Sequence, residues 1–346
     1  MQQKETILHL STVLSIPGVK PDNDFLLKIV SELTRACSRA TIQKIIRPIP
    51  FVPPLLPIRN PKLTAYRSIA KAGGYDLDGF KIDIVCHLIW QSPAWRRMVL
   101  ALSVVLNVGR ISELVSPKPS VIHCHYTFPD LILGLVLKQL SRARLVYTIR
   151  ETDHEDVIRL FRKFPFLLDA VDEITSPSVL IKRRFEAAIP REVKFVPHGL
   201  AEAQVAESDQ VSAKTFSGPL QLCSVCRLLR WKNLHVVLQA LSRISQQTEF
   251  VYTIIGDGPE LGRLQALAGD LGVSDKVVFA GYQDSAAISA TLDSSHLMLL
   301  PSFRETFGRV YFEAMARGVP IVCSRGSGVD GIVVDNVSGF LVAAGE

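Results

Sequence analysis

The sequence predicts an α/β fold of two domains, each a parallel sheet with helices on both faces. Three observations predict it. Short apolar runs alternate with helical periods along nearly the whole chain, the pattern of repeated strand–helix–strand units. The alternation pauses after Gly199 in AEAQVAESDQVSAKTFSGP, a polar stretch poor in large apolar residues, and then resumes. The 346 residues suit two domains of ordinary size, each with its own core. Residues 1–200 are therefore expected to form an N-terminal domain, 201–218 a linker and 219–346 a C-terminal domain. Two such Rossmann-like domains facing each other across a cleft would bind ligands there.

The elements follow in order. Strand-like runs in the first half are TILHLS, IDIVCHL, SVIHCHY, RLVYTIR, EITSPS and VKFVPHG. In the second half LQLCSVC precedes a helix in KNLHVVLQALSRIS. FVYTIIG precedes a helix in PELGRLQALAGDLG, opened by Pro259. KVVFAG, AAISATLDSS, LMLLPS, a helix through Tyr311 to Arg317, and PIVCS complete the pattern. There are no short-period repeats and no low-complexity tracts.

Composition narrows the class. Charged residues are 21% and hydrophobic residues 48%, which excludes wholesale disorder. Residues 1–200 hold 28 Lys and Arg against 18 Asp and Glu, and residues 201–346 hold 11 against 15. A first half at +10 beside a second at −4 points to an anionic partner for the first, or to a basic face kept for solubility. No aromatic-basic platform or helix-turn-helix signature supports nucleic acid. The six cysteines are scattered, which fits a reducing, cytoplasmic compartment. Cys223 and Cys226 have metal or redox spacing, but they sit in an apolar run and read as core. MQQKETILHL has no leader pattern. The longest apolar stretch, 98–108, is too short to span a bilayer. Trp95, Arg96, Arg97 and Arg110 flank it, so it reads either as a helix on a membrane surface or as a buried one.

The sharpest chemical signal is SFRETFGRVYFEAMARGVPIV, residues 302–322. It follows a strand and runs into a helix. Glu305 lies in the loop, where it can accept hydrogen bonds from sugar hydroxyls. Gly308 lets the backbone turn closely, and the helix start suits a diphosphate. Glu313, eight residues on, can hold ribose hydroxyls. Its neighbours Tyr311, Phe312, Ala314 and Met315 are apolar, which argues against a fully solvated face.

Glu305-Thr306-Phe307-Gly308 through Glu313 resembles the Glu-x7-Glu motif of the family 4 retaining glycosyltransferases, which have the GT-B fold. The resemblance covers nearly the whole chain and is strongest from Cys223 onward. It implies that Glu305 holds the donor sugar and Glu313 the nucleotide ribose, with Phe307 and Gly308 between them. It makes residues 1–200 the acceptor-binding domain and 219–346 the nucleotide-sugar-binding one. In CSVCRLLRWKNLHVVLQAL, Arg227 and Lys232 stand where the family's diphosphate-binding pair stands, the ordinary reading being a basic loop. Two fixed cations would stabilise the charge on a departing β-phosphate without a metal. Cys226 and Asn233 stand where relatives have Gly. In IIGDGPELGRLQALA a strand enters a turn at Gly256 and Gly258. Together with Gly281 and Tyr282, this turn resembles the family's nucleotide pocket.

The first domain is less specific. HCHYTFPD places His123 and His125 on one face at a strand end, a spacing that suggests a metal but shows no third ligand. The resemblance makes His125 a catalytic group that approaches the donor sugar across the cleft; a packed or loop-capping His is the alternative. SIPGVKPDND has only Gly18 where relatives have a Gly-Gly loop. Glu151, after Arg150, stands where relatives have Gly. Asp22 and Asp24 read as a helix cap on DFLLKIVSELTR, and Asp76 and Asp78 as a turn, rather than as metal ligands. The chain stops at GFLVAAGE, where relatives continue with further helices, so the C-terminal domain is expected to be incomplete at its end.

The expected activity is retaining transfer of a sugar from a nucleoside-diphosphate sugar to a sugar or lipid-linked acceptor hydroxyl. It fits cell-surface polysaccharide or glycolipid synthesis, with no cofactor and no metal required. The rivals are a nucleotide-sugar epimerase and a non-catalytic nucleotide-sugar-binding protein. A lipid-linked acceptor would place the basic half at the anionic inner face of the plasma membrane, each basic residue adding about 1 kcal/mol. Co-sedimentation should therefore show binding to anionic vesicles that salt weakens. Equal binding to neutral and anionic vesicles, or none to either at low salt, contradicts it.

Overall fold

The computed structural model describes residues 5–11, 30, 41–50, 61–77, 80–87, 115–150, 154–200, 204–206, 211, 218–305 and 307–343. The chain divides into two compact units. The first is Met1–Ser176 with Phe185–Lys194, and the second is Pro177–Arg184 with Phe195–Glu346.

The first unit is built on one sheet. Its strands are β1 (Glu5–Leu10), β2 (Thr41–Pro50), β3 (Gly74–Leu77), β4 (Phe80–His87), β5 (Val121–Cys124), β6 (Arg144–Thr148), β7 (Glu173–Ser176) and β8 (Lys194–Phe195). Their order is β3-β4-β2-β1-β5-β6-β7-β8. β1 pairs in parallel with both β2 and β5, so it lies inside the sheet, with Ile7, Leu8 and Leu10 as its apolar positions. Leu8, Leu10, Ile45, Ile82, Ile122 and Leu145 are buried along these strands. β3 is antiparallel to β4. Asp76 therefore lies in a strand rather than in the expected turn.

The helices of this part are α1 (Pro61–Ala72), α2 (Ile132–Ser141), α3 (His154–Lys163) and α4 (Pro165–Asp169), and α5 (Val179–Ala188) has residues in both units. α3 shows why such a segment is helical. Glu155 and Asp156 sit in its first turn and Arg162 and Lys163 in its last, matching the helix dipole. Val157, Leu160 and Phe161 form its buried stripe. The stretch 98–108, Gly18, the pair Asp22 and Asp24, Asp78 and Glu151 lie outside the described residues, as does all of the expected helix 24–35 except Val30. Among the described residues no helix is long and apolar enough to cross a membrane.

The second unit carries a wholly parallel sheet ordered β11-β10-β9-β12-β13-β14. Its strands are β9 (Leu220–Val225), β10 (Phe250–Ile255), β11 (Val277–Gly281), β12 (Leu297–Leu300), β13 (Ile321–Ser324) and β14 (Phe340–Val342). The helices are α6 (Leu234–Ile244), α7 (Leu261–Asp270), α8 (Ser285–Ser294) and α9 (Arg309–Met315). Pro259 precedes α7 by two residues instead of opening it. α9 has only seven residues and ends before Arg317. Asp284 caps α8 by accepting from the Ala287 amide at 2.9 Å. The core runs along the central strands through Leu222, Cys223, Tyr252, Ile254, Met298 and Leu300. Inside it, the Ser224 hydroxyl bonds the Tyr252 hydroxyl at 2.6 Å and the Leu299 carbonyl, so both buried hydroxyls are satisfied.

One backbone approach fixes the ends of β9 and β10. The Cys226 amide donates to the Ile255 carbonyl at 3.0 Å, and the Gly256 amide to the Gly281 carbonyl at 2.7 Å. Gly256 has φ +133°, and a Cβ there would lie 1.8 Å from the Cys226 oxygen. Only glycine fits. Gly256→Ala should lower stability by about 2–4 kcal/mol, backbone strain and overpacking acting together. A urea midpoint equal to that of the parent protein would contradict this packing.

Candidate functional site

The sequence-predicted residues of the second unit converge where the sheet's middle strands end. The loop after β9 carries Cys226, Arg227 and Lys232; the loop after β12 carries Glu305. β9 and β12 are neighbours in the sheet, so the two loops emerge side by side. Three hydrogen bonds join them. The buried Asn233 side chain donates to the Pro301 carbonyl at 2.9 Å. The Phe303 amide donates to the Trp231 carbonyl at 3.1 Å, and the Ser302 hydroxyl reaches the same oxygen at 3.2 Å. Asn233 has φ +57°. An asparagine tolerates that conformation where relatives were expected to have Gly, and its amide is used to hold the neighbouring loop.

Lys232 and Glu305 form an ion pair between these loops, with both side chains mostly buried. Opposite charges withdrawn from water favour each other strongly, and removal of either leaves the other uncompensated. Arg227 is exposed and forms no ion pair among the described residues. One cation of the expected diphosphate pair is thus engaged by the expected sugar-binding carboxylate, and the other faces solvent.

Glu313 sits on α9 with its side chain 16% exposed. Gln204 donates to it at 2.8 Å and accepts from Arg309 at 3.0 Å, while Arg309 lies 3.4 Å from the same carboxylate. The three form a closed network that fixes the carboxylate. Gln204 comes from the stretch read as linker, and neither it nor Arg309 was singled out from the sequence. Only their fold-imposed proximity reveals them.

Phe307 is 3% exposed. Its ring stacks on Phe312 at 4.4 Å and meets the edge of His198 at 5.1 Å. Expected among the donor-binding residues, its side chain is instead packing that seats the Glu305 loop. Thr306 lies outside the described residues. Gly308 has φ +69° and begins α9, where a Cβ would lie 2.4 Å from the Tyr311 ring. Tyr311 is buried and donates to the Leu300 carbonyl at 2.6 Å. Gly258 passes close to Leu228, whose oxygen lies 2.4 Å from an ideal Cβ. Tyr282 follows β11 and is 72% exposed.

In the first unit, His123 and His125 do share a face, and His9 joins them. Their nitrogens lie within 4.8 Å of one another. The register pairs His9 with His123, and the His125 amide donates to the Leu10 carbonyl at 3.1 Å. His9 is the third residue that spacing alone could not supply. His123 bonds Thr148 at 2.7 Å, and Thr148 bonds Thr175 at 2.8 Å. Burial, aided by His9 and Arg150, holds the His123 pKa well below the ordinary histidine value.

Residues 206–346 match the family of glycosyl transferases group 1. Over 240 residues the chain is 29% identical to N-acetyl-alpha-D-glucosaminyl L-malate synthase of Bacillus anthracis, covering 65% of this chain and 62% of that protein. It is 30% identical over 157 residues to the lipopolysaccharide core biosynthesis glycosyltransferase LpsE of Rhizobium meliloti, covering 45% and 44%. The chain thus spans less than two thirds of these relatives' length. Its fold resembles HepE of Anabaena in complex with UDP and glucose, with a TM-score of 0.65 and 19% identity over 99% of this chain and 86% of that one. It also resembles sucrose-phosphate synthase of Thermosynechococcus elongatus, with a TM-score of 0.70 and 16% identity over 99% and 86%. The fold is GT-B, built of two Rossmann-like domains.

The site predicts its own thiol chemistry. Burial pushes the Cys226 thiol up to about 12; Lys232 opposes the shift and Glu305 adds to it. At pH 8 its thiolate fraction is then about a thousandfold below that of an ordinary thiol. Mass spectrometry should find Cys226 alkylated at least about a hundredfold more slowly than the same thiol in the urea-unfolded chain. Equal rates would contradict the half-buried, protonated thiol.

Proposed function

We propose that this chain, whose residues 206–346 belong to the glycosyl transferases group 1 family, transfers a sugar from a nucleoside-diphosphate sugar to an acceptor hydroxyl with retention. One observation carries the assignment of residues: the Lys232–Glu305 ion pair, which joins the expected phosphate-binding and sugar-binding groups. When a donor enters, its diphosphate competes with Glu305 for Lys232 and meets Arg227 as the second cation. Released from Lys232, Glu305 accepts hydrogen bonds from the sugar. Glu313, held by Gln204 and Arg309, takes the ribose hydroxyls. Gly256 and Gly258 let backbone approach the nucleotide, and backbone groups near Tyr282 read the base. To His125 we assign the contact to the donor sugar that the family resemblance gives it.

The cations stabilise the charge that grows on the β-phosphate as the sugar leaves, and the two loops fix the geometry of departure. The acceptor belongs to the first unit in this reading. Cell-surface polysaccharide or glycolipid synthesis is supported by the names of the relatives, LpsE among them. A lipid-linked acceptor at the cytoplasmic face is supported by the charge of residues 1–200.

Thermal shift against UDP-, GDP- and ADP-sugars selects the donor, and a product assay then tests the site. Arg227→Ala and Lys232→Ala should each cost about 2–4 kcal/mol of transition-state stabilisation. Glu305→Ala should abolish transfer while free nucleoside diphosphate binds within a few fold of the parent. Activity should survive EDTA. Full activity of Glu305→Ala, or a complete loss on chelation that Mn²⁺ restores, contradicts the assignment.

A further inference from the structure

Three imidazoles gather at the carboxyl ends of β1 and β5. His123 and His125 have ring centroids 4.0 Å apart, and His9 lies 5.6 Å from each. His9 and His125 are both buried. Nδ1 of His9 is 3.4 Å from Nε2 of His125, and a guanidinium nitrogen of Arg150 is 3.5 Å from Nδ1 of His125. Arg150 is itself buried and follows β6, with its guanidinium 5.8 Å from the Tyr126 ring.

These contacts have a fixed direction. A guanidinium donates and has no acceptor, so Nδ1 of His125 accepts from Arg150. A neutral ring then carries its proton on Nε2, which donates to Nδ1 of His9. His9 in turn carries its proton on Nε2. The chain of donation runs from Arg150 through His125 to His9. Protonating His125 would point an N–H at the guanidinium, so the charged form loses that contact and meets a like charge. Among the groups whose contacts are described, the titratable and charged ones facing His125 are His9 from β1, His123 from β5 and Arg150 after β6, with Tyr126 beside Arg150.

We propose that Arg150 and His9 are positioning residues that lock His125 as a neutral ring protonated on Nε2. Its bearing on sugar transfer rests on the function proposed above; the tautomer itself does not. A metal ion is the competing occupant. The 3.4 Å separation of the His9 and His125 nitrogens matches an edge of about 3.3 Å in a tetrahedral zinc site. Coordination through Nε2 of His125, however, would leave both its nitrogens without protons while Nδ1 accepts from Arg150. That requires an imidazolate, and it sets a divalent ion beside a guanidinium. The proton fits where the metal does not.

Long-range ¹H–¹⁵N correlation spectra of the full chain, labelled at histidine nitrogens, test the lock without any assay of transfer. His125 should show the Nε2–H tautomer and no titration between about pH 5.5 and 8, the range in which an ordinary histidine changes charge. In Arg150→Met it should become a mixture of tautomers and titrate. His9→Asn should keep the lock, since the amide oxygen can replace Nδ1 as acceptor, whereas His9→Phe should lose it. If the chain turns over donor, kcat of His9→Phe should acquire an acidic limb that His9→Asn lacks, with KM for donor unchanged. An Nδ1–H or charged His125 at neutral pH overturns the proposal. So does stoichiometric Zn²⁺ binding that His9→Phe abolishes. A locked tautomer in a chain that transfers no sugar would sustain the lock and sink the proposed function.

Discussion

The second unit is organised around the ion pair between Lys232 and Glu305. Each partner sits on a loop at the end of a central strand, and the hydrogen bonds of Asn233, Phe303 and Ser302 hold the loops together. Two charges that share so little water need each other or an equivalent ligand. A diphosphate is such an equivalent for Lys232, and a ring of hydroxyls is one for Glu305. In the proposed function this contact is exchanged for contacts to a donor. Arg227 faces solvent and forms no ion pair among the described residues.

The remaining features of this unit serve the same geometry. Gly256 lets the end of β10 lie against the end of β9, which sets where Arg227 begins its loop. Phe307 and Tyr311 are buried beneath the loop of Glu305 and anchor it from below. Gln204 and Arg309 hold Glu313 so that its carboxylate has one orientation. The first unit solves a related problem with different groups. There Arg150 and His9 flank His125, and direction comes from a donor that cannot accept.

Much of this was legible in the sequence. Parallel strands buried on both faces read as apolar runs, and LQLCSV, FVYTII and LMLL are the strands β9, β10 and β12. Motif spacing singles out Glu305 and Glu313, the family resemblance singles out Arg227 and Lys232, and the fold brings Lys232 and Glu305 together. Gln204 is not singled out, because a polar residue in a polar stretch gives no local signal and its partner Glu313 lies 109 residues away. His9 was hidden for a related reason: one polar residue in an apolar strand says nothing of a partner 116 residues on. Phe307 was assigned to the ligand because the motif names it, whereas its ring packs inward. Asp76 was read as turn because GGYDLDG has turn composition, although pairing with β4 draws it into a strand.

In the proposed function Lys232 and Glu305 act on the donor as one unit. A double-mutant cycle measures this directly, with calorimetric binding of the selected nucleotide sugar to the parent protein, Lys232→Ala, Glu305→Ala and the double variant. Strong non-additivity is expected, with a coupling of about 1 kcal/mol or more between the two sites. Additive effects within about 0.3 kcal/mol, or donor affinity unchanged in all three variants, would contradict it.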